Sequence, residues 1–467
     1  MDVMRNKKVV IFAIVFLLIV IFLSPTVING YVEINKANNA WNVKDYATAS
    51  ASFAHAAELL RWRKDLWEKA GIAASANGDP SKAIDFLERA STLSEQGWEA
   101  LGYSYFTADN VPAAVKTYQQ GLQIYDSPSL YRLLALAFRN QKDWAAEREA
   151  LENQLRLDQK DASAHYRLGL LLSVLDPERS LPELMLASSL DTQFDEAVQT
   201  LRAALNVSSS DTDSSAQMVA IGRGLGLVQE WELSLVAFQK ATELNAENAV
   251  AWAWLGEAKQ QAGEDGRVEL DKAVSIDPKS VIVRALRGLY WNRQKKHREM
   301  LAEYLLAAQY EPQNPAWQAS IGDAYIKLGD LVSAFDAYQH ATELAPNEST
   351  YWRLLATFCA ENNVHIEDTG LPAAQKAVEL SPTDPAALDV LGFSYFSSGR
   401  YANAARTFLS VIKLAPEYFP AHIHMAMNYL AQGNRPAALS ELTYVRDGDK
   451  GGPDGALAEQ LLEQYFP

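Results

Sequence analysis

Apolar residues along this chain keep the three- and four-residue spacing of one helix face, and such faces come in pairs that recur. Trp98, Leu101, Gly102 and Tyr105 mark one stripe; Ala114 and Tyr118 mark the next. The order returns as Gln318, Ile321, Gly322 and Tyr325, followed by Ala334, Tyr338 and Ala341, with Pro346 beyond. It returns again as Leu388, Leu391, Gly392 and Tyr395, followed by Ala404 and Phe408, with Pro416 beyond. Two amphipathic helices per unit and a period of about 34 residues predict a stack of helical hairpins. Each residue type has a mechanical reason. The Gly after Leu lets two helices approach closely. The Pro ends the second helix and turns the chain into the next unit. Gly329-Asp330 and Gly399-Arg400 close first helices in short turns.

Further units open around Trp67, Tyr131, His165, Ile221, Trp252, Gly288, Trp352 and His422. The helical region starts at residue 37, where the stretch from Asp45 to Ala56 reads as the second helix of a unit whose first helix is short. The rhythm loosens over 194–215, 263–270 and 362–370. Phe194 to Leu205 reads as a helix without its full partner, and the Ser/Asp-rich stretch 206–215 reads as a flexible loop. The predicted organisation is an amino-terminal array over 37–205, the loop 206–215, a carboxy-terminal array over 216–446, and a turn with a capping helix over 447–467.

The amino terminus follows a different pattern. Val9 to Leu23 is apolar on every face, and Ser24 to Ile28 extends the stretch to twenty residues. Twenty helical residues span about 30 Å, the thickness of a bilayer's hydrocarbon. Arg5, Lys7 and Lys8 precede it, which favours a cytoplasmic start. Residues 1–8 are therefore expected to be a short cytoplasmic tail, 9–28 a transmembrane signal anchor, and 29–36 a linker to repeats lying outside the cytoplasm. A cleaved signal peptide is the alternative; Ile28-x-Gly30 is a poor substitute for a small-residue cleavage site.

The repeated residues closely resemble the tetratricopeptide repeat family, over nearly everything after residue 37. The resemblance implies an all-α fold: a right-handed superhelix of antiparallel helix pairs, with first helices lining a concave groove that commonly holds a peptide or a partner helix. One subgroup of that family grips a free carboxyl terminus with Lys and Asn. The matching places here carry Glu68, Ile72, Glu99 and Tyr103, and carboxylates repel a carboxylate ligand, so that clamp is absent.

Length alone suggests about three domains, but an array grows by stacking units rather than by enlarging one core. The net charge of -16 argues against nucleic acid, which needs a concentrated basic surface. The single cysteine, Cys359, excludes an internal disulfide and reads as a small packing residue. His422-x-His424 lacks ligand spacing, because residues two apart on a helix face different ways. Gly222-x-Gly224-x-Gly226 lacks the preceding strand of a nucleotide-binding turn. Asp447-x-Asp449-x-Gly451-Gly452 lacks the third ligand and the closing Glu of a calcium loop. Asn206-x-Ser208 and Asn347-x-Ser349 are glycan acceptor patterns only along a eukaryotic secretory route. The other carboxylates read as a solvated face. No metal, cofactor or catalytic set is expected.

Two first-helix positions should face the groove, one after the Gly of Leu-Gly and one after the Tyr. They hold Tyr103 and Phe106, Leu136 and Arg139, Glu257 and Gln260, Asp323 and Ile326, and Phe393 and Phe396. The residue after the Trp position adds Glu99, Arg132, Tyr166, Arg353 and Asp389. The candidate partner-binding set is Tyr103, Phe106, Arg132, Arg139, Tyr166, Arg353, Phe393 and Phe396, with the two phenylalanines the sharpest. The expected function is a single-pass, membrane-anchored scaffold that binds protein or peptide ligands on the extracytoplasmic face of a bacterial membrane. Two alternatives stand beside it. One is an import receptor of the mitochondrial type with cytosol-facing repeats. The other is an accessory subunit of an enzyme that builds cell-surface glycan.

Overall fold

A computed structural model describes residues 25–467, and among them every regular element is helical. The tail 1–8 and most of the span 9–28 lie outside the described residues. No helix among the described residues is long and apolar enough to cross a membrane. The chain forms two compact units, Met1–Ala237 and Phe238–Pro467, and the boundary falls inside one helix rather than in the predicted loop.

In the first unit the helices are α1 (residues 25–42), α2 (Tyr46–Leu59), α3 (Asp65–Ala76), α4 (Pro80–Arg89), α5 (Glu95–Thr107), α6 (Val111–Leu122), α7 (Pro128–Asn140), α8 (Trp144–Leu157), α9 (Ala162–Leu175), α10 (Pro177–Leu190), α11 (Asp195–Ser209) and α12 (Ser214–Leu227). The boundary helix is α13 (Trp231–Leu244). The second unit continues with α14 (Ala249–Gln261), α15 (Arg267–Ile276), α16 (Val281–Arg293), α17 (His297–Tyr310), α18 (Pro315–Leu328), α19 (Leu331–Leu344), α20 (Ser349–Glu361), α21 (Leu371–Leu380), α22 (Pro385–Ser397), α23 (Tyr401–Leu414), α24 (Phe419–Ala431), α25 (Arg435–Gly448) and α26 (Pro453–Tyr465).

Within a hairpin, glycine sets the helix separation. A methyl built on Gly102 would come within 2.2 Å of the Tyr118 ring; on Gly288, within 2.2 Å of Tyr304; on Gly322, within 2.9 Å of Tyr338; on Gly392, within 2.5 Å of Phe408. The aromatic always lies sixteen positions on, so first and second helices meet in the same register each time. Between hairpins a different contact repeats. The residue at the Trp position of a first helix donates a side-chain N–H to the carbonyl six residues earlier, in the turn that follows the preceding helix. Trp252 reaches Ala246 (2.8 Å), Arg284 reaches Pro278 (2.9 Å), Trp352 reaches Pro346 (2.9 Å), His165 reaches Gln159 (3.2 Å) and His422 reaches Pro416 (2.9 Å). Those carbonyls lie in the turn, two residues past the last residue of the preceding helix, so no helical N–H is paired with them. Trp98 occupies the same place, but its Nε1 is buried without a hydrogen-bond partner.

The structure corrects the sequence reading in three places. Residues 29–36 are not a linker: they lie within α1, whose Val27, Gly30, Ile34, Ala37 and Trp41 recur at three- and four-residue spacing against α2. The first helix of that unit is therefore long, not short. Residues 206–209 continue α11, because Val198, Leu201, Leu205 and Ser208 form one buried stripe. The loop shrinks to 210–213, and α11 pairs fully with α12. The irregularities at 263–266 and 362–370 remain. The first precedes a second helix of only 10 residues. The second contains a wide helical turn, Ile366–Gly370, whose His365 ring stacks on Phe335 at 4.6 Å. At the carboxyl end, Ala458 and Leu462 of α26 cover the apolar face of α24 and α25.

Candidate docking surface

In the first unit, helix α5 carries Tyr103 and Phe106, and α7 carries Arg132 and Arg139. Tyr103 is exposed and Phe106 is half-buried. Burial, aided by the charge of Glu99 and by Tyr103 and opposed by Arg132, pushes the Tyr118 hydroxyl well above the usual phenol range. Arg132, Leu136 and Arg139 line one small cleft of about 160 Å³ with Glu147, Gln154 and Arg167. Arg167 of α9 grips Glu147 of α8 with two hydrogen bonds (2.6 and 3.0 Å) and touches Glu230 at 3.3 Å. Arg139 faces the same Glu230 at 3.7 Å. Tyr166 stacks on Phe194 at 4.6 Å, so this side chain is already packed within its unit.

In the second unit, Phe393 and Phe396 project from α22 and are both half-buried. Their rings stack at 5.9 Å and 15°. Phe393 also lies on the His424 ring of α24, at 4.5 Å and 18°, and Phe396 leans on Tyr401 at 5.8 Å. His424 is fixed from behind. Its Nδ1 donates to both oxygens of Asp389 at 3.0 Å, and the Asp389 side chain is nearly fully buried. The carboxylate therefore sets the tautomer and tilt of the imidazole, and the imidazole sets the plane of Phe393. Tyr418 sits beside this group; burial, aided by Asp389 and opposed by Arg353, pushes its hydroxyl up to about 12. Arg353, on α20, is half-buried and faces that hydroxyl.

Sequence reasoning treated His422 and His424 as one motif. The structure assigns them separate duties: His422 meets Glu441 at 2.6 Å and the Pro416 carbonyl at 2.9 Å, whereas His424 serves Asp389. The signal that could have paired Asp389 with His424 is their separation of about one repeat. The reading of all other carboxylates as a solvated face needs correction. Glu147, Glu257, Glu303 and Asp389 are buried, and each is held by a cation or imidazole: Arg167, Arg293 (2.6 Å), Arg284 (2.7 Å) and His424. Asp323 accepts the Tyr338 hydroxyl. These contacts occupy the first-helix acids Glu257, Asp323 and Asp389 and the second-helix acids Glu147 and Glu303 as struts.

The remaining motifs are structural. Gly224 lies against Ala204, and Gly226 against Trp231. Asp449 caps the turn into α26 by accepting the Gly455 N–H at 2.9 Å. Cys359 is buried, and its thiol is pushed up to about 12 by burial. Among the described residues no group of three or more metal-ligating side chains converges.

Comparison with known proteins finds similarity to repeat proteins over parts of the chain. Residues 318–348 match the tetratricopeptide repeat family. The chain is 22% identical over 273 residues to human superkiller complex protein 3, covering 53% of this chain and 15% of that protein. It is 25% identical over 147 residues to the peroxisomal targeting signal receptor of Kluyveromyces lactis, covering 31% of this chain and 24% of that one. The chain thus spans less than a quarter of the length of either relative. Among solved structures, a tetratricopeptide repeat protein from Parabacteroides merdae is 14% identical, covers 54% of this chain and 98% of its own, and superposes with a TM-score of 0.44. The family match over 318–348 coincides with the hairpin of α18 and α19.

Proposed function

We propose that this array is a non-catalytic docking scaffold, and that a peptide or amphipathic helix of a partner protein seats on the Phe393–Phe396 face of α22. The observation that carries the reading is the locked aromatic pair. Phe393 is stacked on an imidazole that a buried carboxylate orients. Rings held in place before binding lose little entropy on binding, and such residues dominate interface energies. The peroxisomal receptor among the relatives is named for a targeting signal, which fits a peptide ligand. We further propose that the twenty-residue apolar stretch 9–28 tethers the scaffold to a membrane, with the repeats on the extracytoplasmic side of a bacterial cell. The fifteen uninterrupted apolar residues and the cations before them support this. Tethering concentrates whatever binds near the bilayer.

The docking surface is tested by placing a photo-reactive phenylalanine at position 396 in the full chain, in cells. A discrete cross-linked adduct is expected there, and none from position 409, an exposed leucine on second helix α23. Phe393→Ala should weaken the adduct by tenfold or more, roughly the cost of losing one interface anchor. Equal adducts from 396 and 409, or an adduct indifferent to Phe393→Ala, refute the assignment.

A further inference from the structure

The first hairpin presents a surface that no contact among the described residues explains. Helix α1 exposes Ile28, Tyr31 and Val32, and the turn after α2 exposes Trp62 at 62% of its area. These groups lie at one end of the hairpin. Gly30 of α1 packs against Leu60, the residue that closes α2, and the Arg63 guanidinium lies beside the Tyr31 hydroxyl.

The tip of this end is locally basic. Residues 25–32 and 59–64 contain Arg61, Arg63 and Lys64 and no carboxylate, with Glu33, Glu58 and Asp65 at their borders, whereas the whole chain carries -16. Arg63 is paired with Asp65 at 2.8 Å. Arg61 and Lys64 are exposed, with no ion-pair partner among the described residues. An exposed tryptophan flanked by cations suits the headgroup layer of a bilayer, where the ring is half-dissolved and the cations meet phosphates.

We propose that the Arg61-Trp62-Arg63-Lys64 turn, with Tyr31, rests on the headgroups of an anionic lipid bilayer and orients the first hairpin on it. This deepens the tether proposed above and rests on it. The apolar stretch ends at Ile28, three residues before Tyr31. Along a helix that is about 4.5 Å, within a headgroup layer roughly 5–8 Å thick. The turn lies level with Gly30 and so falls in the same layer. The opposite end of α1 does not: Val43 is fifteen residues past Ile28, about 20 Å further along.

The test uses the full chain reconstituted into phosphatidylcholine vesicles with or without phosphatidylglycerol. Cys359 is buried, so a cysteine introduced by Trp62→Cys, or by Val43→Cys as a control, takes an environment-sensitive fluorophore selectively. Lipids with a headgroup nitroxide should quench the label at 62 in phosphatidylglycerol vesicles and leave the label at 43 bright. Adding Arg61→Gln and Lys64→Gln should weaken the docked state by roughly 30-fold, from two lost charges near an anionic surface. In a chain that floats with the vesicles, a label at 62 as bright as that at 43 overturns the contact. Equal quenching with and without phosphatidylglycerol overturns its anionic-lipid assignment. A chain that fails to float with either vesicle overturns the tether itself.

Discussion

Arg284 and Glu303 make the repeat's architecture testable. Arg284 occupies the place that Trp252 and Trp352 hold elsewhere, and it donates Nε and Nη2 to the Pro278 carbonyl at 2.9 and 2.7 Å. Its Nη1 meets Glu303 of the paired helix at 2.7 Å, and both side chains are less than a tenth exposed. Arg284→Leu strips a buried carboxylate of its main cation. Such a break costs about 3–5 kcal/mol. Arg287 stands 3.2 Å from the other Glu303 oxygen and offsets part of the loss, so about 3 kcal/mol is expected. The double replacement Arg284→Leu, Glu303→Leu removes both charges and fills the space with apolar groups, which is near neutral in comparable cases. The unpaired Pro278 carbonyl is common to both variants and cancels between them. In a repeat array the change is local, so the assay is native-state hydrogen exchange of amides in α16 and α17. The single variant should open these helices about 150 times more readily than the parent, at about 1.4 kcal/mol per tenfold. The double should recover most of that protection. A double variant no better protected than the single would refute the reasoning, because the cost would then lie in packing and not in an abandoned charge.

Two further outcomes follow from the same geometry. Gly288→Ala places a methyl 2.2 Å from the Tyr304 ring, and overpacking of this kind costs about 1–3 kcal/mol despite alanine's better helix propensity. Gly78→Ala meets nothing within 4 Å but must hold a φ of +73°, a cost of about 1 kcal/mol; thermal denaturation of both variants should lower the transition, and Tyr304→Ala should relieve the first effect but not the second. The raised thiol of Cys359 gives a pH dependence. The folded state keeps its proton while the unfolded thiol ionises near 9, so this group favours folding equally at all lower pH and begins to favour unfolding as pH rises past 9; the native chain should resist iodoacetamide at pH 8.5, and a Cys359→Ala variant should lose less stability than the parent between pH 8 and 10.

What the sequence revealed depended on separation along the chain. The glycines at 102, 288, 322 and 392 and the aromatics sixteen positions later were readable because both halves of each contact fall in one repeat. Two of the struts were not, because Asp389 finds His424 and Glu257 finds Arg293 a full repeat away, and for the others a list of carboxylates does not say which of them are covered. Helix α1 escaped for another reason. Its stripe from Val27 to Trp41 begins inside a segment apolar on every face, where helical periodicity has no polar background to stand against. Of the eight candidate docking residues, Phe393 and Phe396 share one contact group and Arg132 and Arg139 share one cleft. Tyr166 is engaged by Phe194, a contact the sequence did not suggest because 194 lay in a segment that reads as irregular.

The occupied acids also bear on how binding acts on the array. A first-helix face with free carboxylates would repel acidic ligands and attract cations without selectivity. Here Glu257 of α14 and Asp389 of α22 are each satisfied by a neighbour, so the face presents aromatic rings and hydrogen-bonded struts instead of bare charge. Both struts, Glu257–Arg293 and Asp389–His424, join first helices of successive repeats. Phe393 rests on the second of them, so a ligand pressing on that ring also presses on the joint between α22 and α24. In an array whose stability is a sum of nearest-neighbour interfaces, a ligand that favours one alignment of this joint stiffens it by its own binding energy. The docking face proposed for α22 and the seam that holds it are thus one set of atoms, and under that proposal partner affinity and local rigidity at α22–α24 should rise and fall together.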